Sequence, residues 1–276
     1  MSKTVYTRLK NSKSAKPKLG LALGSGGWRG LAHIGVIKAL LKHKIEFEII
    51  AGSSTGSLMG GAYASLQDIS KLEDFFKQLK FRGMVRIFRD FHPAQGIFKG
   101  DFFQKVIVEV LGDKKIEDLS IKFGATAVDF QSGELIFLTS GSLVKAIRAS
   151  ASVPLVFEPA KVDGRKLIDG AMRMPVPIDL AKELGADKVI AINLYKNVFP
   201  VSPGRYGGVQ TALKSSHLLL RELARRDCEK ADLVLYPDIP EGGYSIFRKF
   251  LGHAEEIIGY GEQVVEENLK AIKKLF

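Results

Sequence analysis

Two short runs of small residues carry most of the chemical information in this chain: Gly52-Ser53-Ser54-Thr55-Gly56 and Gly24-Ser25-Gly26-Gly27-Trp28-Arg29-Gly30. The first is a G-x-S-x-G pattern that follows the apolar Ile49, Ile50 and Ala51 and opens a segment of helical character. Strand, sharp turn and helix form the setting a nucleophile elbow requires, and side chains at Gly52 and Gly56 would collide with neighbouring backbone. Ser54 is then expected to stand exposed at a helix N-terminus, where partial positive charge and free N–H groups favour a developing oxyanion. The competing reading is an ordinary turn with a serine N-cap.

The second run has three readings. A phosphate-cradling P-loop ends in Gly-Lys-Ser/Thr, whereas Leu31 and Ala32 follow Gly30 here, so that reading fails. A dinucleotide fingerprint needs glycine where Arg29 stands and an acid where Ala51 and Gly52 close the second strand. The third is an oxyanion loop whose glycines let backbone N–H groups converge on one point. One helix and one strand separate the two runs, so both emerge at the carboxyl edge of adjacent parallel strands, where open α/β sheets bind ligands. Arg29 either meets a substrate phosphate or braces the loop.

A serine nucleophile needs a base. Asp169-Gly170-Ala171, after the apolar Leu167-Ile168, offers a carboxylate at a strand end, although an acid before glycine is also common turn chemistry. A Ser-His-Asp triad is the alternative. In the order Ser, Asp, His it leaves His217 and His253, both in stretches that read as helix, while His33, His43 and His92 precede Asp169.

These residues need elements to hold them. Strands are expected at Leu19–Leu23, Glu46–Ala51, Phe123–Val128, Glu134–Leu138, Lys166–Ile168, Lys188–Leu194 and Asp232–Tyr236. Helices are expected at Leu31–His43, Thr55–Ser65 and Ala254–Leu275. Strands alternating with helices predict an α/β fold with a mainly parallel sheet. Residues 68–122 break the rhythm with aromatic and basic residues and read as short helices, either a cap over the site or plain packing. The domain reading is a basic tail over 1–18 and one catalytic domain over 19–276.

Composition narrows the function class. The 276 residues are 46% hydrophobic and 9% aromatic, which excludes a disordered chain. Cys228 is the one cysteine, so an intrachain disulfide and a multi-cysteine zinc site are excluded. The first 18 residues lack the apolar core of a secretory signal, and no run approaches the roughly 18 apolar residues of a membrane span. A cytoplasmic protein is expected, at most peripheral at the inner membrane surface. Net charge is +11, concentrated at Lys3–Lys18 and between Lys77 and Lys99. Such patches attract anionic lipid or nucleic acid, but no nucleic-acid-binding motif accompanies them, so no nucleic acid partner is expected.

The blocks GLALGSGGWRGLAHIGVIKAL, IIAGSSTGSLMGGAYA, ASASVPLVFEP and LIDGAMRMPVP, in that order over roughly residues 19–195, resemble the patatin-like phospholipases. The resemblance implies a three-layer α/β/α sandwich and a Ser–Asp dyad that hydrolyses lipid esters with no metal and no cofactor. It makes Ser54 the nucleophile, Asp169 the base and then acid, and the amides around Gly26, Gly27 and Trp28 the oxyanion hole. Ser150 to Pro154 would shape the pocket wall. The implied partner is a lipid, a phospholipid or lysophospholipid, while the basic patches leave open a peripheral contact with an anionic membrane; oligomeric state stays open. Ser25, Trp28 and Thr55 replace the smaller residues usual at their positions, which bears on substrate preference. A transacylase, a thioesterase or a catalytically silent lipid-binding protein would fit the same blocks.

Overall fold

The structure, a computed structural model, describes residues 16–76, 98–196, 207–240 and 253–276. Most of the basic tail, the basic run from Lys77 to Arg89, and His92 lie outside the described residues.

The element order is β1 (Leu19–Leu23), α1 (Ala32–Lys42), β2 (Ile49–Ser53), α2 (Thr55–Leu66), then a helix at Asp101–Leu111. It continues with β3 (Lys122–Asp129), β4 (Leu135–Leu138), a helix at Leu143–Ser150, β5 (Ala160–Val162) and β6 (Arg165–Asp169). A helix at Ile178–Glu183, β7 (Lys188–Ile192), a helix at Gly208–Cys228, β8 (Leu233–Leu235) and a helix at Ala254–Lys273 complete it. The strands lie in the order β5-β6-β3-β2-β1-β7-β8, with β4 against β3. The pairs from β3 to β8 along this path are parallel, whereas β4 and β6 run antiparallel to β3, and β5 antiparallel to β6.

Alternation along the strands builds two apolar layers, because successive side chains leave opposite faces. Leu19, Leu21, Leu23, Ile50, Ile190 and Ile192 face one side, packing with α1, α2 and the helix 254–273. Ala22, Ala51, Val189 and Ala191 face the other, packing with the helices 178–183 and 208–228. The expected three-layer sandwich with a mainly parallel sheet is therefore present. The described parts of the 68–122 region join the first layer: Leu72, Phe75, Val106 and Ile107 are buried in it.

Two glycines set the spacing of the first layer. A Cβ on Gly35 would lie 1.9 Å from the Ile258 carbonyl oxygen, and one on Gly261 would lie 2.0 Å from that of Ala32. Both obstacles are backbone, so α1 and the helix 254–273 must separate to admit a methyl group. Gly261→Ala is expected to destabilise the protein by about 1–3 kcal/mol, read from the midpoint of urea unfolding.

The junction beside β3 matters most for function. β2 pairs with β3 up to Ser53 opposite Thr126, and β6 pairs with it from Asp169 opposite Ala127. β4 pairs with Ala125 through Val128, so it occupies the other flank, and β2 and β6 share one flank. They approach head-on, and the end of β2 meets the end of β6.

Two departures from the expected elements have local causes. β2 begins at Ile49 rather than Glu46, because Lys44 adopts φ 55 and the Ile45 N–H returns to the Leu40 carbonyl while the chain reverses. β5, Ala160–Val162, is too short for alternation to reveal it.

Candidate active site

The head-on junction places Ser54, one residue beyond β2, against Asp169, the last residue of β6. Ser54 Oγ donates to Asp169 Oδ2 at 2.5 Å, and the Ala171 N–H donates to the other carboxylate oxygen at 2.8 Å. Asp169 is 1% exposed. Burial pushes its carboxyl from 3.8 up to about 7, against the opposing hydrogen bonds from Ser54 and Ala171.

Ser54 is held at φ 54 and ψ −121, a region costly for any residue with a Cβ. Gly52 and Gly56 make the turn feasible: a Cβ on Gly52 would lie 2.4 Å from the Ser57 Cα, and one on Gly56 would lie 2.0 Å from the Leu23 carbonyl oxygen. The strained turn is fixed from several sides. The Ser54 N–H donates to Ser150 Oγ at 2.9 Å, and Ser57 Oγ donates to the Ser54 carbonyl at 2.6 Å. The Asp169 N–H donates to the Ser152 carbonyl at 3.0 Å. One short segment, 150–152, thus holds the backbone of both residues. Ser54 is 6% exposed, so the elbow sits recessed among these neighbours instead of standing exposed as expected.

The glycine-rich loop lies alongside. It begins at the end of β1, where the Gly24 N–H donates to the Ile192 carbonyl and the Ser25 N–H to the Pro175 carbonyl. A Cβ on Gly30 would lie 2.1 Å from Thr55 Oγ1, so the loop's end touches the elbow. Gly27 takes φ 57 and its Cα faces open space. Trp28 packs against the first apolar layer.

Arg29 turns inward and is 2% exposed. Its Nε donates to the Gly26 carbonyl at 3.3 Å, its NH2 group meets His217 Nε2 at 3.2 Å, and its guanidinium lies 5.1 Å from the centre of the Tyr195 ring. Because an arginine can only donate, His217 Nε2 accepts and the imidazole is neutral. Burial and the Arg29 charge hold its pKa down at about 3. Tyr195 completes the network through a 2.7 Å hydrogen bond between its hydroxyl and Ser25 Oγ.

No described histidine takes up either Asp169 oxygen. His33 Nε2 binds the Gly24 carbonyl at 2.7 Å, and burial lowers its pKa to about 4. His43 pairs with Glu266 and His253 with Glu256.

Sequence reasoning missed Ser150 as an acceptor for the elbow, and it missed Arg148. That arginine, 4% exposed, donates to Ser152 Oγ at 2.6 Å and to the carbonyls of Lys99, Gly100 and Glu158. It locks the 150–158 segment onto the residues that lead into the helix 101–111. The signal available was an arginine two residues before an apolar Ser-Ala-Ser run, which does not by itself report burial.

Residues 21–182 match the family model described as patatin-like phospholipase. The chain belongs to the patatin-like phospholipase family. It is similar to an uncharacterized NTE family protein of Mycobacterium tuberculosis, 38% identical over 184 residues that cover 66% of this chain and 50% of the relative. It is also similar to the lysophospholipase NTE1 of Yarrowia lipolytica, 32% identical over 194 residues that cover 68% of this chain and 13% of the relative. The chain thus spans half or less of the length of these curated relatives. In fold it is similar to VipD from Legionella pneumophila, with a TM-score of 0.50 at 13% identity, covering 93% of this chain and 67% of that one. Among the described residues, no helix of this patatin-like chain is long and apolar enough to cross a membrane.

Proposed function

We propose that this patatin-like protein is a serine lipid-acyl hydrolase that cleaves carboxylic esters of phospholipids or lysophospholipids through Ser54 and Asp169. The observation that carries this reading is the 2.5 Å contact between Ser54 Oγ and Asp169 Oδ2, with the carboxylate buried and, among the described residues, no histidine bonded to it. As the ester carbonyl is attacked, the Ser54 proton passes to Asp169 and the Oγ–C bond forms. The tetrahedral oxyanion is received by the backbone amides at Gly26, Gly27 and Trp28, each such donor being worth about 3–4 kcal/mol. When the intermediate collapses, the C–O bond breaks and Asp169 returns the proton to the departing alcohol. Water then attacks the acyl-enzyme, again losing its proton to Asp169, and the fatty acid leaves as the Ser54 hydroxyl is restored.

Arg29 acts as a brace in this account, since its guanidinium is buried against Gly26, Tyr195 and His217. Arg29→Met is expected to lower kcat on a simple uncharged ester by about 10- to 100-fold, because a displaced loop loses part of an oxyanion donor's contribution. A phosphate-binding Arg29 would instead raise KM for phospholipids and leave the uncharged ester untouched. Steady-state kinetics on both substrates separates the two.

A panel of phospholipids, lysophospholipids and simple esters, with products identified by mass, tests the function. Release of free fatty acid that is absent in Ser54→Ala supports the hydrolase. Acyl transfer to an added alcohol in preference to water would indicate a transacylase, and preference for acyl thioesters a thioesterase. Lipid binding without turnover would indicate a silent family member.

A further inference from the structure

Large apolar side chains exposed to water are unevenly distributed. Among the described residues, six of them belong to segments at the carboxyl edge of the sheet, where Ser54 and Asp169 meet: Phe130, Val153, Leu155, Leu213, Leu218 and Leu219. On one side, Phe130 follows the last residue of β3, and its N–H donates to the Lys166 carbonyl of β6. Phe130 is 60% exposed. Leu155, 65% exposed, sits at φ 69 three residues beyond Ser152, which bonds the Asp169 N–H. On the other side, the helix 208–228 runs back from β7 to β8, and His217 touches Arg29 and Tyr195 at the carboxyl edge. The residues before His217 form the first turns of this helix. Leu213 lies four residues before His217 at 54% exposure, and Leu219 two residues after it at 67%.

A leucine held at positive φ and a phenylalanine left in water each carry a free-energy cost. Charge accompanies them: Lys161, Lys166 and Arg173 are exposed on or just beyond the β5–β6 hairpin, beside Asp163 at its tip and an Arg165 that pairs with Asp129 and Glu134. Apolar side chains interspersed with cations, surrounding a recessed ester-cleaving site, match the chemistry of a bilayer bearing anionic headgroups.

We propose that the carboxyl edge is a membrane-docking surface, with Phe130 and Leu155 on one side and Leu213 and Leu219 on the other entering the headgroup region of an anionic bilayer. The proposal rests on the lipid-hydrolase reading for its choice of partner. Docking would bring the mouth of the site against lipid, so that a substrate molecule need not cross water to reach Ser54.

The test uses the full chain carrying Ser54→Ala, which keeps the vesicles intact, and cosedimentation with vesicles of phosphatidylcholine with or without phosphatidylserine. Binding that strengthens with phosphatidylserine and falls about tenfold or more in Phe130→Asp/Leu219→Asp is the expected result. Leu41→Asp, which alters an exposed leucine at the far end of α1, should bind as before. On the catalytic background, Phe130→Asp/Leu219→Asp should keep wild-type turnover of a short water-soluble ester and lose activity on vesicles. Undiminished vesicle binding by the double variant, equal loss in Leu41→Asp, or a dimer that Leu219→Asp dissociates would each overturn the docking assignment. Failure of the hydrolase reading is separately visible, as wild-type turnover of the soluble ester by Ser54→Ala.

Discussion

Replacing Ser54 with alanine is expected to lower kcat for ester hydrolysis by on the order of 10^5- to 10^6-fold, since the hydroxyl proposed to form the acyl-enzyme is gone. The fold should survive. The backbone bonds of the elbow, from Ser54 N–H to Ser150 Oγ and from Ser57 Oγ to the Ser54 carbonyl, do not involve the lost hydroxyl. Alanine meets the same penalty as serine at φ 54, so backbone strain is unchanged. The one lost contact is the hydrogen bond to Asp169, a difference of about 1 kcal/mol. Circular dichroism and urea unfolding beside the rate measurement distinguish a missing nucleophile from a damaged protein.

Asp169→Asn carries the second large effect. An amide cannot accept the Ser54 proton, and the expected loss is at least about 10^4-fold in kcat, the size of the loss when the orienting carboxylate of a Ser-His-Asp triad becomes an amide. The pH dependence follows from the burial of the carboxyl. Asp169 must be ionised to act as base, and burial places its pKa at about 7. The wild-type kcat/KM is therefore expected to fall about tenfold per pH unit below that value and to level off above it.

Stability moves in the opposite sense. In the window between 3.8 and about 7 the folded chain holds a proton on Asp169 that the unfolded chain has released. Stability contributed by this group is then lost as pH rises through that window, by on the order of 4 kcal/mol in total. Asparagine carries no such charge. Unfolding of wild type and Asp169→Asn at pH 4 and pH 8 is expected to show a variant that is inactive yet relatively more stable at the higher pH. Stability thus gives no reason for a carboxylate at this position, whereas the proposed role as base does.

Both chemistry-bearing loops were legible in the sequence because their requirements are local. Gly52 and Gly56 announce a turn too tight for side chains, and the alternation of Leu19, Leu21 and Leu23 with Gly20 and Ala22 announces a strand covered on both faces. Asp169 was legible only as a carboxylate in search of a partner. What brings it to Ser54 is the shared flank of β3, a long-range register that no local pattern encodes. The same holds for Arg29: its sequence position invites a phosphate, whereas its burial is set by Tyr195 and His217, more than 160 residues away. Ser150 and Arg148 escaped for a similar reason, since their roles consist of contacts made by a tightly packed interior rather than by spacing.

Nucleophilicity at one serine, controlled by one buried carboxylate, is probed most directly by labelling with a fluorophosphonate and locating the adduct by peptide mass spectrometry. The account predicts a single adduct on Ser54, formed faster as pH rises through about 7, absent from Ser54→Ala and strongly slowed in Asp169→Asn. Equal labelling of Ser54→Ala, or labelling of Ser54 at an undiminished rate in Asp169→Asn, would contradict it.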